Sequence, residues 1–337
     1  MNLADADFDI VIPTIGRPSL FELLESLARG PGPLPSAVIL VDDRRDHSRP
    51  LLWRTLPHPL AARVRVLRGA VTGPAAARNL GWRAARAEWI AFLDDDVVVQ
   101  AHWRARLASE LSKLDSDVGG TQGRVKVPLR ADRRPTDWER NIKGLEEACW
   151  ATADMAYRRV ALERAGGFDE RFPRAFREDA DLALRVMAAG YKLVCGRRWV
   201  LHPVRPADRW VSIRLQAGNA DDALMRALHG PDWYARVNAR PGRRARHLII
   251  AAAALCALTA ALCGRGQAGR AAAAVWLAGT AEFAWARIAP GPLTPGEIAT
   301  MLATSAVIPL AATYHWLRGL AAAQRLGRGR TARATAT

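Results

Sequence analysis

The chain has 337 residues, half of them hydrophobic, and a formal net charge of +16. That length allows one large domain or two modest ones, and the composition suits a packed core. Cys149, Cys195, Cys256 and Cys263 form no CxxC pair and no cysteine–histidine cluster of zinc spacing, which excludes a disulfide scaffold and fits a reducing compartment.

Lys113, Lys126, Lys143 and Lys192 are the only lysines, so nearly all the positive charge is arginine. A coding bias explains the choice of Arg over Lys but not the excess of base. That excess suits an anionic membrane surface or nucleic acid, and anionic substrates such as nucleotide diphosphates add local demand.

The opening run Met-Asn-Leu-Ala-Asp-Ala-Asp is acidic and does not read as a signal peptide, which predicts a cytoplasmic catalytic part. Phe8–Pro13 is a β-rich run, and Ser19–Arg29 follows with helical apolar spacing at Leu20, Leu23, Leu24 and Leu27. Ala37–Val41, closed by Asp42 and Asp43, and Val64–Leu67 are further strand candidates. Pro74–Ala87 reads as a helix, and Trp89–Leu93 is an apolar run closed by Asp94, Asp95 and Asp96. Short apolar runs alternating with helices predict a mainly parallel sheet buried on both faces, with ligands beyond the carboxyl ends of its strands. Later, Gly119–Pro128 and Tyr191–Cys195 read as strands, and Asp179–Ala189 and Ser212–Leu228 as helices.

After Arg246 the character changes. Leu248–Cys263 carries no charge, Ala271–Ala289 is apolar except for Glu282 and Arg287, and Ile298–Leu317 is apolar with His315 near its end. A span needs about 20 apolar residues. The first run is at the short edge, the second is interrupted and the third is adequate. A buried helical subdomain would also produce such runs, but basic flanks favour a membrane. Arg240, Arg243, Arg244 and Arg246 place the start of this region in the cytoplasm, and Arg318, Arg325, Arg328 and Arg330 ask the same of the tail. Two cytoplasmic ends need an even number of spans, which makes the middle run, with Glu282 and Arg287, the candidate not to cross. The predicted division is residues 1–239 for catalysis and 240–337 for membrane association.

Four features carry chemistry. Asp94-Asp95-Asp96, directly after an apolar run, places three repelling carboxylates together, which a hard divalent cation would neutralise; a solvated acidic turn is the plain alternative. Arg177-Glu178-Asp179 opens a helix, where acidic residues also serve as caps. After the turn Gly166-Gly167-Phe168-Asp169-Glu170, a carboxylate there could act as a general base. Gly73-Pro74-Ala75-Ala76-Ala77-Arg78-Asn79-Leu80-Gly81 sets a helix N-terminus, Arg78 and Asn79 where an anion could bind. His202 is either structural or a ligand.

In this order the features resemble glycosyltransferase family 2 with the GT-A fold, over roughly Phe8 to Pro203. The resemblance implies a Rossmann-like, mainly parallel α/β sheet with helices on both faces, here followed by a C-terminal α-helical membrane region. It implies that Pro13, Thr14 and Arg17 form the donor-contacting turn and that Asp42 and Asp43 contact base and ribose. Arg44 and Arg45 stand where the family usually has a small residue. Arg78 and Asn79 match the family's Arg-Asn-x-Gly helix. Asp94 and Asp95 fall on the donor, with Asp96, Asp94 and His202 at a divalent metal, Mg²⁺ or Mn²⁺. Glu178 and Asp179 match the catalytic pair, with Asp179 as the base of an inverting transfer. Trp150, Asp154 and Arg177 are candidates for the acceptor surface.

The implied partners are a nucleotide-sugar donor, a glycan or lipid-linked acceptor and anionic membrane lipids, at the cell membrane. Nucleic acid is not expected, because Arg177 sits beside Glu178 and Asp179. A nucleotidyltransferase would carry a Gly-rich basic loop where Pro13-Thr14-Ile15-Gly16-Arg17 stands. A non-catalytic membrane scaffold would be expected to lose the acidic motifs. A processive synthase would show Gln-x-x-Arg-Trp, whereas Pro206 precedes Arg209-Trp210 at that spacing. Transfer of a single sugar is the favoured reading, with a non-catalytic membrane scaffold of the same fold or a nucleotidyltransferase as the alternatives.

Overall fold

The computed structural model describes residues 7–334, of which 326–334 are described by backbone alone. The elements are β1 (Phe8–Thr14), α1 (Ser19–Ala28), β2 (Val38–Asp42), α2 (His58–Ala61), β3 (Val64–Arg68), α3 (Pro74–Ala84), β4 (Trp89–Leu93), β5 (Val98–Val99), α4 (Trp103–Leu111), β6 (Val118–Lys126), α5 (Asp137–Lys143), β7 (Asp154–Arg158), α6 (Arg159–Ala165), α7 (Glu178–Ala188), β8 (Lys192–Leu201), α8 (Val211–Arg214), α9 (Asn219–His229), α10 (Trp233–Arg236), α11 (Arg244–Leu262), α12 (Gly266–Ile288) and α13 (Pro295–Ala334).

The chain forms two compact units, residues 1–128 with 143–204, and residues 129–142 with 205–337. The boundary drawn from the sequence at 239/240 therefore falls inside the second unit, which also takes up an insertion from the catalytic region. The acidic run before Asp7, and Arg328 and Arg330 as side chains, lie outside the described residues.

The first unit is an α/β sheet in the order β3-β2-β1-β4-β7-β6-β8-β5. Strands β3, β2, β1, β4, β6 and β8 point one way, and β7 and β5 run against them. β1, β2 and β4 are mainly apolar and buried along their length, apart from Asp9 within β1 and Asp42 at the end of β2, because helices cover both faces. On one face Val11, Ile39, Ile90, Phe92, Met155 and Tyr157 pack with Trp82 of α3, Leu162 of α6 and Leu182 and Val186 of α7. Gly81 permits α3 to approach β1, since a Cβ there would lie 2.3 Å from Val11. The other face carries α1 and α4, tied together by Arg104, which donates to the carbonyls of Gly30 and Gly32.

That second face also holds a buried ion network. Arg198 on β8 and Asp154 on β7 are both 0% exposed. Arg198 Nε donates to Asp154 Oδ1 at 2.8 Å, Trp103 Nε1 donates to Asp154 Oδ2 at 2.9 Å, and Glu110 also accepts from Arg198. Each charge in this network has an opposite partner, as burial requires.

In the second unit, α11, α12 and α13 realise the three apolar runs. The segment expected as one helix over Ser212–Leu228 is instead α8, a 3₁₀ turn at Leu215–Gly218, and α9. By length and composition, Arg244–Leu262 and Pro295–Arg325 are the helices long and apolar enough to cross a membrane among the described residues.

Candidate active site

The carboxyl ends of β1, β2 and β4 gather the acidic residues. β4 runs beside β1, so the turn after Leu93 meets the turn after Thr14. Asp95 is consumed in joining them: Thr14 Oγ1 donates to Oδ2 at 2.6 Å and Arg17 Nη1 to Oδ1 at 2.6 Å. Asp95 is thereby buried, and it holds the Pro13–Arg17 turn in place.

Asp94 and Asp96 point elsewhere. With His202, which follows β8, they bring one ligand atom each to within 4.8 Å of one another. Asp96 Oδ1 lies 3.5 Å from His202 Nε2. His202 is buried, its backbone N–H donates to the carbonyl of Lys126, and its Nδ1 has no hydrogen-bond partner. Two carboxylates and one imidazole fit a hard or borderline divalent cation, and three protein ligands leave positions for phosphate oxygens.

Arg78 links this cluster to the start of α7. It is 2% exposed, with Nη2 donating to Asp94 Oδ1 at 2.8 Å and Nη1 to Glu178 Oε1 at 2.7 Å. Its Cζ lies 5.6 Å from the Phe168 ring centroid. Both charged groups it serves hold its own charge in place despite burial. Arg78 is therefore engaged with protein partners, and its bearing on a donor runs through Asp94 and Glu178.

Glu178 is buried and Asp179 is half-buried at the first turn of α7. Burial pushes the Glu178 carboxyl up, to about 8, reinforced by the neighbouring Asp179 charge and opposed by Arg78. Burial also raises Asp179, against the N–H of Ala180, Arg78 and Arg177, with Asp94 adding to the rise. Asp179 thus stands in the electrostatic field of the Asp94 cluster. Arg177 enters α7 with φ at +75°, in the left-handed region.

Asn79 is committed to the turn before α7. Its Nδ2 donates to the carbonyl of Phe168 and to Glu170, each at 2.8 Å, while its Oδ1 accepts from Phe168 N and Trp82 Nε1. Gly166 and Gly167 adopt φ of +77° and +73°, and a Cβ on Gly167 would lie 2.6 Å from Asn79 Oδ1. The Gly-Gly-Phe turn and the Arg-Asn helix are therefore one assembly. The expectation that Asn79 contacts a donor gives way to this clamp, because its amide is already filled.

At β2, Asp43 accepts from the N–H groups of Val71 and Gly73 and so shapes the loop ahead of α3. Asp42 accepts Arg44 through Nε at 2.8 Å and Nη2 at 2.7 Å. Burial acts to raise the Asp42 carboxyl, but the Arg44 fork outweighs it and the net shift is downward. Arg44 also lies against Gly16, whose added Cβ would fall 2.6 Å from Arg44 Cδ.

Of the acceptor candidates, Trp150 has φ at +68°, and its indole N–H is buried without a partner. Its backbone N–H donates to Gln122. Asp154 is corrected: it is sealed in the core with Arg198 and Trp103, where no acceptor can touch it. The sequence signal was misleading because Asp154 stands close to Trp150 in the chain, while β7 turns it to the opposite face from Met155. Arg198, Glu110 and Trp103 went unnoticed, since nothing local marks a charge whose partner is 44 or 88 residues away.

Residues 9–168 match the model of glycosyl transferase family 2. Over those residues the chain is similar to a glycosyltransferase family 2 domain. It is also similar to several solved structures. One is the mannosyltransferase PcManGT of Pyrobaculum calidifontis, solved with GDP-Man and Mn²⁺: 20% identity, TM-score 0.48, covering 94% of this chain and 85% of that one. Residues 1–349 of S. aureus TarS, solved with UDP-GlcNAc, give 13% identity and a TM-score of 0.47 over 95% and 92%. A longer S. aureus TarS structure gives 19% identity and 0.44 over 64% of this chain, which spans only 39% of that one. No curated protein sequence matches the chain.

Proposed function

We propose that the protein transfers a single sugar from a nucleotide-sugar donor to an acceptor hydroxyl, with inversion and with a divalent metal, at the cytoplasmic face of the cell membrane. The observation that carries this reading is the convergence of Asp94, Asp96 and His202 within 4.8 Å at the end of β4, in a domain similar to family 2 and in the field of Asp179. Asp94, Asp96 and His202 would hold Mn²⁺ or Mg²⁺, which when bound neutralises the charge of the departing nucleoside diphosphate. Asp179 accepts the proton of the acceptor hydroxyl as that oxygen attacks the anomeric carbon. The carbon–phosphate-oxygen bond breaks as the new glycosidic bond forms, so no covalent enzyme intermediate is required. Arg78 orients both ends of this arrangement through Asp94 and Glu178. Arg44, forked on Asp42 beside the Pro13–Arg17 turn, leaves the choice of nucleotide base to be measured. The apolar helices of the second unit support a lipid-linked or cell-envelope acceptor.

The test is donor hydrolysis by the full chain with UDP-, GDP- and dTDP-sugars, with and without Mn²⁺ or Mg²⁺. Metal-dependent release of one nucleoside diphosphate is expected. Asp96→Asn should weaken metal affinity by at least about 10–100-fold, the loss seen when even outer partners of a metal ligand are removed, read as a shift of the Mn²⁺ activation curve. A folded protein that binds no nucleotide sugar with either metal would instead make it a non-catalytic scaffold.

A further inference from the structure

The second unit contains a paired helical hairpin and a third helix laid across its base. α11 and α12 run antiparallel. Arg243 and Arg246 pair with Glu282, the His247 and Phe283 rings meet at 4.8 Å, Ile250 packs on Gly279, and Ala260 packs on Gly269. Between its base and the tip bearing Arg265 and Arg270 the hairpin carries no charged side chain, and among the described residues only His247, Ile250 and Ala251 of α11 and Phe283, Ala284, Arg287 and Ile288 of α12 are buried. Ile249, Leu255, Leu258, Leu262, Val275 and Leu277 are exposed.

α13 touches both arms only near that base. Its Ile298 and Met301 pack on Ala284 and Ile288, and its Thr304 and Ser305 accept Arg287. On α11, Arg244, His247 and Leu248 gather with Ala312, Thr313 and Trp316 of α13, and Arg244 stacks over Trp316 at 4.1 Å. Residues 302 and 314 of α13, about the middles of these two contacts, are roughly 18 Å apart along a helix. The points they meet on the hairpin differ in height by only about three residues, roughly 5 Å. α13 therefore runs across the hairpin and not along it, and it continues onto α9, where Gly319 meets Ala220.

We infer that the α11–α12 hairpin is the membrane-crossing element, with α12 carried across by its pairing with α11 although Arg270, Glu282 and Arg287 leave it less apolar than α11 and α13, and that α13, although long and apolar enough to cross, lies along the near surface. The occupant of the exposed apolar faces is a lipid bilayer with anionic headgroups. From Arg246 to Arg265 is about 28 Å of helix, against a hydrocarbon core of about 30 Å. Arg240, Arg243, Arg244 and Arg246 then lie at the near headgroups, and Arg265 and Arg270 reach the far ones by extending their stems. A shallower hairpin would leave those two arginines in hydrocarbon. Two crossings keep both basic ends on one side, which three spans would not. α13 turns the face bearing Leu302, Leu310 and Leu317 outward, opposite its buried Met301, Ser305, Ile308 and Ala312, as an interfacial helix does.

The inference deepens the membrane-bound reading above and is tested apart from catalysis. Full-length chain carrying Cys149→Ser and Cys195→Ser, with native Cys256 and Cys263 and with Gln324→Cys, is exposed to a membrane-impermeant maleimide in sealed vesicles of both orientations. Cys263, at the hairpin tip, is expected to label from the side opposite Gln324→Cys, and Cys256 from neither side. Labelling of Cys263 and Gln324→Cys from the same side overturns the assignment, as does labelling of Cys256. Recovery of the chain in the soluble fraction, as a monomer or as a dimer closed over these faces, also overturns it. If the serine variants misfold, mass-spectrometric mapping of the labelled native cysteines in the unmodified chain separates Cys263 from Cys256. Donor hydrolysis measured on the same vesicles reports the transfer reading independently.

Discussion

Asp179→Asn is expected to lower kcat for sugar transfer by about 10²–10⁴-fold, the usual contribution of a positioned general base. The substitution keeps shape and removes only the ability to take a proton. Donor affinity and the Mn²⁺ activation curve should therefore stay near wild type, because Asp94, Asp96 and His202 are untouched. Transfer kinetics with a fixed acceptor, beside donor binding by calorimetry, separate the two. Equal loss of donor binding and kcat would mean that Asp179 organises the donor site and does not act as the base. The pH profile gives a second check. A base works deprotonated, so kcat/KM falls as pH drops through its pKa. Burial raises both Glu178 and Asp179, which places the acid limb above the ordinary carboxylate range. Glu178→Gln keeps the shape and removes the titrating neighbour, so an acid limb that remains in this variant belongs to Asp179.

Arg198→Met is expected to destabilise the first unit by about 3–5 kcal/mol, the cost of leaving a buried charge without its partner. Asp154 is 0% exposed and would retain only Trp103 as a donor from the present set. Burial already raises its carboxyl against the pull of Arg198, so the variant should hold Asp154 protonated. Denaturant unfolding in detergent, followed by tryptophan fluorescence, measures the loss. The double variant Arg198→Met with Asp154→Leu should recover much of it, because apolar replacement of a whole buried pair is often neutral. A single variant as stable as wild type would show that water reaches this network. Were Asp154 an acceptor contact, its replacement would change acceptor KM with little effect on stability.

Much of the first unit was legible because its strands are short apolar runs closed by acidic residues. β1, β2, β3 and β4 fall where Phe8–Pro13, Ala37–Val41, Val64–Leu67 and Trp89–Leu93 suggested. β7 escaped notice: Asp154–Arg158 mixes charge with apolar residues, and only its place between β4 and β6 makes it a strand. β8 extends beyond Tyr191–Cys195 through Arg197 and Arg198, whose charge conceals the strand until Asp154 and Glu110 meet it.

The sequence by itself determined which chemical groups are available. Asp94 and Asp96 could be placed at a strand end because they directly follow an apolar run, and strand ends gather in a parallel sheet; Glu178, Asp179 and His202 joined them as a set only through the resemblance to glycosyltransferase family 2. The apolar character of α11 and α13 was likewise fixed by composition. Only the tertiary structure decided which polar group faces which. Asp95 ties Thr14 to Arg17, Asn79 clamps the Phe168 turn, and Asp154 is sealed on Arg198. The transverse course of α13 was equally invisible, since hydropathy records how apolar a helix is and not the direction in which it crosses its neighbours. The physical reason is common to all of these. A side chain's partner is set by contacts between residues distant in the chain, and periodicity and spacing report only on residues that are near.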